Sequence, residues 1–241
     1  MPEVRQDPAT KKGLLSLQRG RRDLLTLCMT HPEIWKDTKG ATEVENIIGI
    51  SGSPRAGGNT DILLQQFLRG ANKAGARTER VFLRDYLIHP CTGCEQCRKS
   101  KVCTRFQDGM QLLYPKLIES KGIVLGSPTY NYNVTPQVKA FIDRLYVFYD
   151  FTDERPRNYS SRLALQGRKG IVFSICEQPD ISEMGVTLEA MSKPLEVLGY
   201  EITCRFPVTG IFDKGAISTK PELMESAFQK GFDLGKSLTN R

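Results

Sequence analysis

The sequence predicts an α/β fold in which a five-stranded parallel sheet carries helices on both faces. From about residue 44 onward, short apolar runs rich in β-branched residues alternate with segments whose apolar residues recur at helical spacing. The first apolar run ends in a loop rich in glycine and serine that leads directly into a helix. Parallel neighbours need crossover connections, usually helices, so this alternation predicts a sheet covered on both sides.

Each predicted element rests on a local pattern. Residues 44–50 are a short apolar run, which predicts a buried first strand, and Asn59, Thr60 and Asp61 then offer N-cap residues for a helix that stops near Gly75. Residues 80–83 are shorter and more polar, as expected of an edge strand. The chain continues with a helix at 110–120, a strand at 122–126, a helix at 136–148 with proline in its first turn, a strand at 170–175, a helix at 187–198 that Pro194 interrupts or kinks, a strand at 201–206 and a helix at 221–238.

Residues 1–43 precede this unit and form a separate N-terminal extension, in which leucines between positions 14 and 27 predict helix. No apolar run reaches the length needed to cross a bilayer, and the N-terminus lacks the pattern of a secretory signal. We therefore expect a cytoplasmic protein with no membrane partner. Clustered cysteines in that compartment bind metal or do redox chemistry more often than they form structural disulfides.

The positive charge of the chain is concentrated in one stretch. The whole sequence has a net charge of +7, and residues 68–105 contain nine basic and three acidic residues, a net charge of +6. Such a stretch suits an anionic cofactor, an acidic protein partner or a metal centre that carries thiolate charge, and an ordinary solvated basic face explains it equally well. No recognition motif accompanies the charge, so we expect no nucleic-acid partner.

The loop after the first strand predicts a phosphate site. Ligands of parallel sheets bind at the carboxyl ends of the strands, and residues 51–60 combine small residues, hydroxyl groups and a helix N-terminus at that edge. The loop is neither a dinucleotide-binding nor a Walker-type sequence, and a turn-rich connection without a ligand is the alternative. The candidate ligand-binding residues are Ser51, Ser53, Arg55, Asn59 and Thr60.

The loop after the third strand presents aromatic side chains and backbone amides at the same edge, which suits a flat isoalloxazine ring. Considered alone, its two tyrosines fit ordinary surface or interface aromatics better. The candidate residues in this loop are Pro128, Thr129, Tyr130, Asn131, Tyr132 and Asn133.

Four cysteines lie within thirteen residues in the pattern C-x2-C-x2-C-x5-C, namely Cys91, Cys94, Cys97 and Cys103. Four thiolates this close favour one metal centre, and both zinc and a [4Fe–4S] cluster accept four of them. Successive x2 spacings are typical of iron–sulfur ligation, whereas structural zinc sites more often pair two C-x2-C knuckles across a longer loop. Disulfides between adjacent turns strain the bond geometry. The spacing favours an iron–sulfur cluster, with zinc as the alternative.

Three segments together carry a family resemblance: residues 52–60, residues 126–130 and residues 139–144 resemble the NADPH-dependent FMN reductase group. The compact cysteine motif, in an insert at about residues 88–108, is similar to that of the iron–sulfur flavoproteins within this group. The resemblance implies a flavodoxin-like FMN-binding domain over residues 44–241. It also implies an FMN phosphate held by Ser53, Arg55, Asn59 and Thr60, and a ring along residues 128–133 that residues 176–178 close from the other side.

The resemblance further implies electron transfer between a [4Fe–4S] cluster and FMN, a ferredoxin-like donor or NAD(P)H, and a homodimer or homotetramer. Two departures limit it: a pair of acids usual after the cysteines appears here as Asp108-Gly109, and Tyr132 replaces a residue that is commonly small. Two other functions stay open. One is an NAD(P)H-dependent FMN or quinone reductase with structural cysteines, and the other is a zinc-stabilised interaction module that is not an enzyme.

Overall fold

A computed structural model describes residues 46–239 of the chain. The predicted N-terminal extension at 1–43, with its helix, lies outside the described residues. Five strands form one parallel sheet in the order β2-β1-β3-β6-β7. The strands are β1 (Asn46–Ser51), β2 (Arg77–Phe82), β3 (Gly122–Pro128), β6 (Arg168–Ile175) and β7 (Tyr200–Val208). This order is that of a flavodoxin-like fold, so the predicted fold class is confirmed.

Helices cover both faces of the sheet. The helices are α1 (Asn59–Lys73), α2 (Cys97–Ser100), α3 (Met110–Glu119), α4 (Pro136–Asp143), α5 (Thr187–Leu198) and α6 (Pro221–Thr239). Side chains alternate along each strand, so Ile48 and Ile50 of β1 belong to a core with α3, α4 and α5, whereas Ile47 belongs to a second core with α1 and α6. No helix within residues 46–239 is long and apolar enough to span a bilayer.

The structure differs from the predicted elements at several boundaries, such as that of β2, which spans Arg77–Phe82 instead of 80–83, and at three larger features. Helix α4 ends at Asp143 and the chain continues as a 3-10 turn over Arg144–Phe148. Helix α5 is not interrupted at Pro194, because its buried face packs in the core and offsets one lost backbone hydrogen bond. A small antiparallel hairpin, β4 (Tyr149–Phe151) and β5 (Tyr159–Ser161), was not predicted, since three-residue strands have too little pattern to detect.

Helices α1 and α6 pack with their backbones in close approach because glycine occupies the contact. A β-carbon added at Gly70 would lie 1.9 Å from the carbonyl oxygen of Phe228, and one added at Gly231 would lie 1.9 Å from that of Phe67. Helix α1 begins at the loop after β1, so this contact holds the helix that carries the predicted phosphate site at its N-terminus.

We predict that Gly231→Ala destabilises the domain. Replacing glycine by alanine within a helix stabilises the folded state by about 1 kcal/mol. Overpacking costs about 1–3 kcal/mol, and here the added methyl group would meet the backbone of a rigid helix. Urea unfolding followed by circular dichroism measures the difference. The exposed Lys236→Ala in the same helix is the control, and a Gly231→Ala protein as stable as this control would contradict the expectation.

Candidate functional site

Two cavities contain most of the predicted site residues. The first, called here the strand-end cavity, lies where β1, β3 and β6 end at the carboxyl edge of the sheet. It is lined by Ser53, Arg55, Gly58, Asn59, Thr60, Pro128, Thr129, Tyr130, Ile175, Glu177, Ile211, Phe212 and Lys214. Seven of the eleven residues predicted to bind the cofactor are therefore brought together. Ser51, Asn131, Tyr132 and Asn133 do not line this cavity.

Asp61 holds the loop of residues 51–60 in place through its buried carboxylate. This carboxylate accepts hydrogen bonds from the Ser51 hydroxyl at 2.6 Å and the Gly57 amide at 2.8 Å. Arg84 contacts the same carboxylate at 2.9 Å and also donates to the carbonyl oxygen of Ser53 at 3.1 Å. Ser51 thus supports the loop from within the fold, because its side chain is fully buried.

Asn59 joins the loop after β1 to the loop after β7. Helix α1 begins at Asn59 with Gly58 as its N-cap, so the Asn59 side chain is free of a capping role. Its amide nitrogen donates to the carbonyl oxygen of Asp213 at 2.9 Å, and its amide oxygen accepts from the backbone of Ile217 at 3.2 Å. The asparagine therefore lines the cavity and also holds one of its walls.

The wall after β7 contributes two residues that sequence reasoning missed, Phe212 and Lys214. The Arg55 guanidinium lies over the Phe212 ring, 4.7 Å from its centroid. Arg55 and Lys214 are cations, Glu177 is the one acidic residue in the lining, and the first-turn amides of α1 face the same region. The sequence could have indicated these two residues, because the strand β7 also ends at this edge and is followed by glycine, phenylalanine and lysine.

The loop after β3 contains a tight turn. Tyr130 and Asn133 exchange backbone hydrogen bonds at 2.8 and 3.0 Å, and the two residues between them, Asn131 and Tyr132, have φ of +46° and +65°. A positive φ is unusual for tyrosine, and the backbone of Val186 holds the turn by donating to the Tyr132 carbonyl oxygen at 2.9 Å. A hydrogen bond to Glu183 raises the pKa of the Tyr132 hydroxyl.

Helix α4 begins directly after this loop and is fastened to the loop after β1. Thr135, its N-cap, is fully buried, accepts a hydrogen bond from the Val138 amide at 3.4 Å and donates to the carbonyl oxygen of Gly52 at 2.8 Å. The Ser127 hydroxyl accepts from the Thr135 amide at 3.1 Å. The two loops of the strand-end cavity are therefore joined through buried hydrogen bonds.

The second cavity, called here the cysteine cavity, is lined by all four cysteines of the motif. Cys91 and Cys94 are exposed, whereas Cys97 and Cys103 are half-buried. Burial and the neighbouring thiols raise the pKa of Cys97 to about 11, so its proton must be displaced when a metal binds. Among residues 46–239, no three His, Cys, Asp or Glu side chains are arranged to hold a single metal ion.

A buried ion pair closes the cysteine segment, residues 88–108, at its two ends. Arg144 contacts both carboxylate oxygens of Asp108 at 2.7 and 3.1 Å, and the two side chains are 2% and 1% exposed. Asp108 also accepts from the backbone amides of His89 and Met110, and Arg144 donates to the His89 carbonyl oxygen. Burial opposes ionisation of Asp108, but these hydrogen bonds outweigh it and hold its pKa below the usual value.

The β4–β5 hairpin contacts the same segment through charged side chains. Arg157 bonds Glu95 at 2.6 Å, Arg98 contacts Asp153 at 3.1 Å, and Lys101 is paired with Asp150. Two of the basic residues around the cysteines are thus neutralised within the chain. The surface around the cysteines therefore presents less net positive charge to a partner than the sequence alone suggests.

One buried cation, Arg144, lies in the wall of the cysteine cavity, whose lining also includes Glu95, Arg105 and Asp143. The Arg144 Nε atom is buried without a hydrogen-bond partner among the described residues. A buried guanidinium with an unused donor beside four thiols matches a metal–thiolate centre, whose ligands carry negative charge.

We predict that Asp108→Asn lowers the free energy of unfolding by about 3 kcal/mol at pH 7, because the substitution leaves a buried guanidinium uncompensated. The folded-state pKa of Asp108 is lowered, so its contribution is complete above the unfolded pKa of about 3.9 and disappears as the pH falls through the folded value. Urea unfolding over a pH series measures this loss. Asp143→Asn, in an exposed pair with Lys139, is the control, and an Asp108 effect that persists unchanged in acid would contradict the assignment.

Comparison with known proteins relates the chain to one family and to several relatives. A family model described as NADPH-dependent FMN reductase matches residues 46–176, more than half of the chain. An iron–sulfur flavoprotein of Methanocaldococcus jannaschii is 41% identical over 98 residues, which cover 41% of this chain and 50% of that protein. An iron–sulfur flavoprotein of Archaeoglobus fulgidus is 34% identical over 153 residues, 64% of this chain and 59% of that protein. The chain thus spans between half and three-fifths of the length of these relatives.

Solved structures support the fold. An NAD(P)H:quinone oxidoreductase from Methanothermobacter marburgensis superposes with a TM-score of 0.59 at 13% identity, covering 80% of this chain and 100% of that one. A flavone reductase superposes with a TM-score of 0.58 at 17% identity, covering 80% and 62%. The family match, together with the relatives that share the sequence, confirms the resemblance drawn from the loop and cysteine motifs: the chain belongs to the NADPH-dependent FMN reductase family of flavin-dependent oxidoreductases, with the iron–sulfur flavoproteins among its relatives.

Proposed function

We propose that this protein is an electron-transfer flavoprotein that binds FMN in the strand-end cavity and a [4Fe–4S] cluster on Cys91, Cys94, Cys97 and Cys103. FMN supplies a group that holds one or two electrons, and the cluster exchanges one electron at a time. The protein's part is to position both groups and to surround them with suitable charge. Family membership supports the flavin, and the names of the relatives support the cluster.

In this proposal the FMN phosphate lies at the N-terminus of α1. The Ser53 hydroxyl, the Asn59 amide, Thr60 and the first-turn backbone amides of the helix are its donors, and Arg55 and Lys214 balance its charge. Three residues of the loop after β3 would hold the ring, namely Pro128, Thr129 and Tyr130. The outer turn of this loop would shape the entrance of the strand-end cavity; it consists of Asn131, Tyr132 and Asn133.

The observation that carries the cluster is that all four thiols of the C-x2-C-x2-C-x5-C motif line one cavity. A tetrahedral zinc site with Zn–S bonds of about 2.3 Å requires all four sulfurs within roughly 3.8 Å of one another. A cubane cluster would instead take one thiolate at each of four irons, and the x2 spacings of the cysteines favour it. The buried Arg144 offsets the negative charge of such a centre.

Both NAD(P)H and a ferredoxin-like protein are proposed as electron donors. The family description favours NAD(P)H, and the exposed Tyr130, Tyr132 and Phe212 give a reductant aromatic surface near the flavin. All six described cysteines are free, which fits a reducing compartment such as the cytoplasm. A homodimer or homotetramer is part of the proposal, by family likeness.

The decisive experiment is to purify the full chain without oxygen and to quantify iron, acid-labile sulfide, zinc and FMN. We expect about four irons, four sulfides and one FMN per chain. Cys94→Ser should lose the iron and keep the flavin, whereas Cys204→Ser, outside the motif, should keep both. One zinc per chain with no iron would contradict the cluster and favour a structural cysteine site, and failure to bind FMN would contradict the flavin.

The phosphate assignment is tested with Arg55→Met. A hydrogen bond to a charged group contributes about 1.5–3 kcal/mol, so the substitution should weaken FMN binding by roughly 10- to 150-fold, with a smaller loss at high salt. Riboflavin lacks the phosphate, and its affinity should not change. Fluorescence titration of the flavin-free protein measures both ligands, with the exposed Arg69→Met as control. Equal losses for FMN and riboflavin would show that Arg55 shapes the cavity without binding the phosphate.

A further inference from the structure

We propose that the buried Asp108–Arg144 pair sets the reduction potential of the metal centre in the cysteine cavity. The inference rests on the proposed function, because it requires a cluster on the four cysteines. The ion pair is separate from those ligands, and no thiol belongs to it. It assigns a positioning and tuning role to two residues that do not bind the flavin.

The pair is oriented with its positive end toward the cavity. Arg144 is part of the cavity wall, whereas Asp108 is not. The Asp108 carboxylate oxygen lies 2.7 Å from Arg144 Nη1 and Asp108 is outside the cavity lining, so the guanidinium is the charge of the pair that is nearer to the cavity. The two charges act as a fixed dipole.

The orientation of the guanidinium is held from several sides. Arg144 Nη1 donates to the His89 carbonyl oxygen at 2.9 Å, and the guanidinium lies over the Phe106 ring, 5.1 Å from its centroid. The His89 ring stacks on the same phenylalanine at 4.9 Å, with an interplanar angle of 7°. The backbone of Arg144 is also held, because its carbonyl oxygen accepts from the Tyr114 hydroxyl. The charge therefore has little freedom to move away from the cavity.

Burial makes this dipole effective. Both side chains are at most 2% exposed, so water and salt screen their field far less than they screen the surface charges of Arg98 or Lys101. Reduction adds an electron to a centre that already carries thiolate charge. A fixed positive charge on the wall stabilises the reduced form relative to the oxidised form and raises the potential.

The two partners should therefore shift the potential in opposite directions. Arg144→Gln removes the positive end and leaves the buried carboxylate, so we expect the ratio of reduced to oxidised centre at a fixed applied potential to fall at least tenfold. Asp108→Asn leaves the guanidinium and should raise that ratio. A tenfold change corresponds to 59 mV for a one-electron couple. Anaerobic redox titration followed by electron paramagnetic resonance measures the potential directly, without an assay of turnover.

Three further variants distinguish an effect of the pair on the reduction potential from a purely structural effect on the cysteine segment. Arg144→Lys keeps the charge and should stay near the native potential. The double variant Asp108→Asn/Arg144→Gln removes the dipole without leaving a lone buried charge, and should lower the potential less than Arg144→Gln does. Arg205→Gln breaks a surface pair between Arg205 of the edge strand β7 and Glu196 of α5, and should change nothing.

Shifts of the same sign in Arg144→Gln and Asp108→Asn, or no shift in either, would overturn the inference while leaving the proposed function intact. Loss of iron from every variant of the pair, with iron retained in Arg205→Gln, would also overturn it, because the pair would then only support the segment. Native protein without iron would overturn both this inference and the cluster in the proposed function.

Discussion

The structure around the cysteines depends on one buried ion pair, between Asp108 and Arg144. The segment from residue 88 to 108 contains only one short helix, α2, and its cysteines pack only partly against the core. The pair holds the segment where it leaves the sheet and where it enters α3, through the backbone of His89 and of Met110. A segment with so little regular structure keeps a defined shape because its ends are fixed by charge-assisted hydrogen bonds. The β4–β5 hairpin then holds the middle.

The strand-end cavity is built by a different principle. Its loops follow from sheet topology, which brings the ends of β1, β3, β6 and β7 to one edge, and buried polar contacts fix their shape. Asp61 supports the first loop from below, and Thr135 joins it to the second. The glycine contact between α1 and α6 holds the helix whose N-terminus faces the cavity. One cavity thus relies on regular structure, and the other on an ion pair.

Much of the fold and of the strand-end cavity could be predicted from the sequence, for physical reasons. Strand and helix periodicity fixed the sheet, and the edge rule then identified the loops after β1 and β3. Phe212 and Lys214 were missed because the prediction used the loops after β1 and β3 and residues 176–178, and left out the loop after β7. The role of Arg144 was not accessible, since a buried arginine at the end of a helix has the same local pattern as an exposed one. Its partner Asp108 stood out only as a departure from a family motif. The hairpin contacts depend on tertiary pairing that no local pattern encodes.

Helix α4 has a consequence for the two sites considered together. Its N-cap bonds the loop of the strand-end cavity, and the residue after its last turn is Arg144 on the wall of the cysteine cavity. Eight residues of helix extend about 12 Å, and a helix of this length does not stretch or bend appreciably. The spacing of the two cavities within one chain is thus a constant of the fold. Any exchange within one chain between groups bound in the two cavities would occur over a separation that local backbone motion does not change.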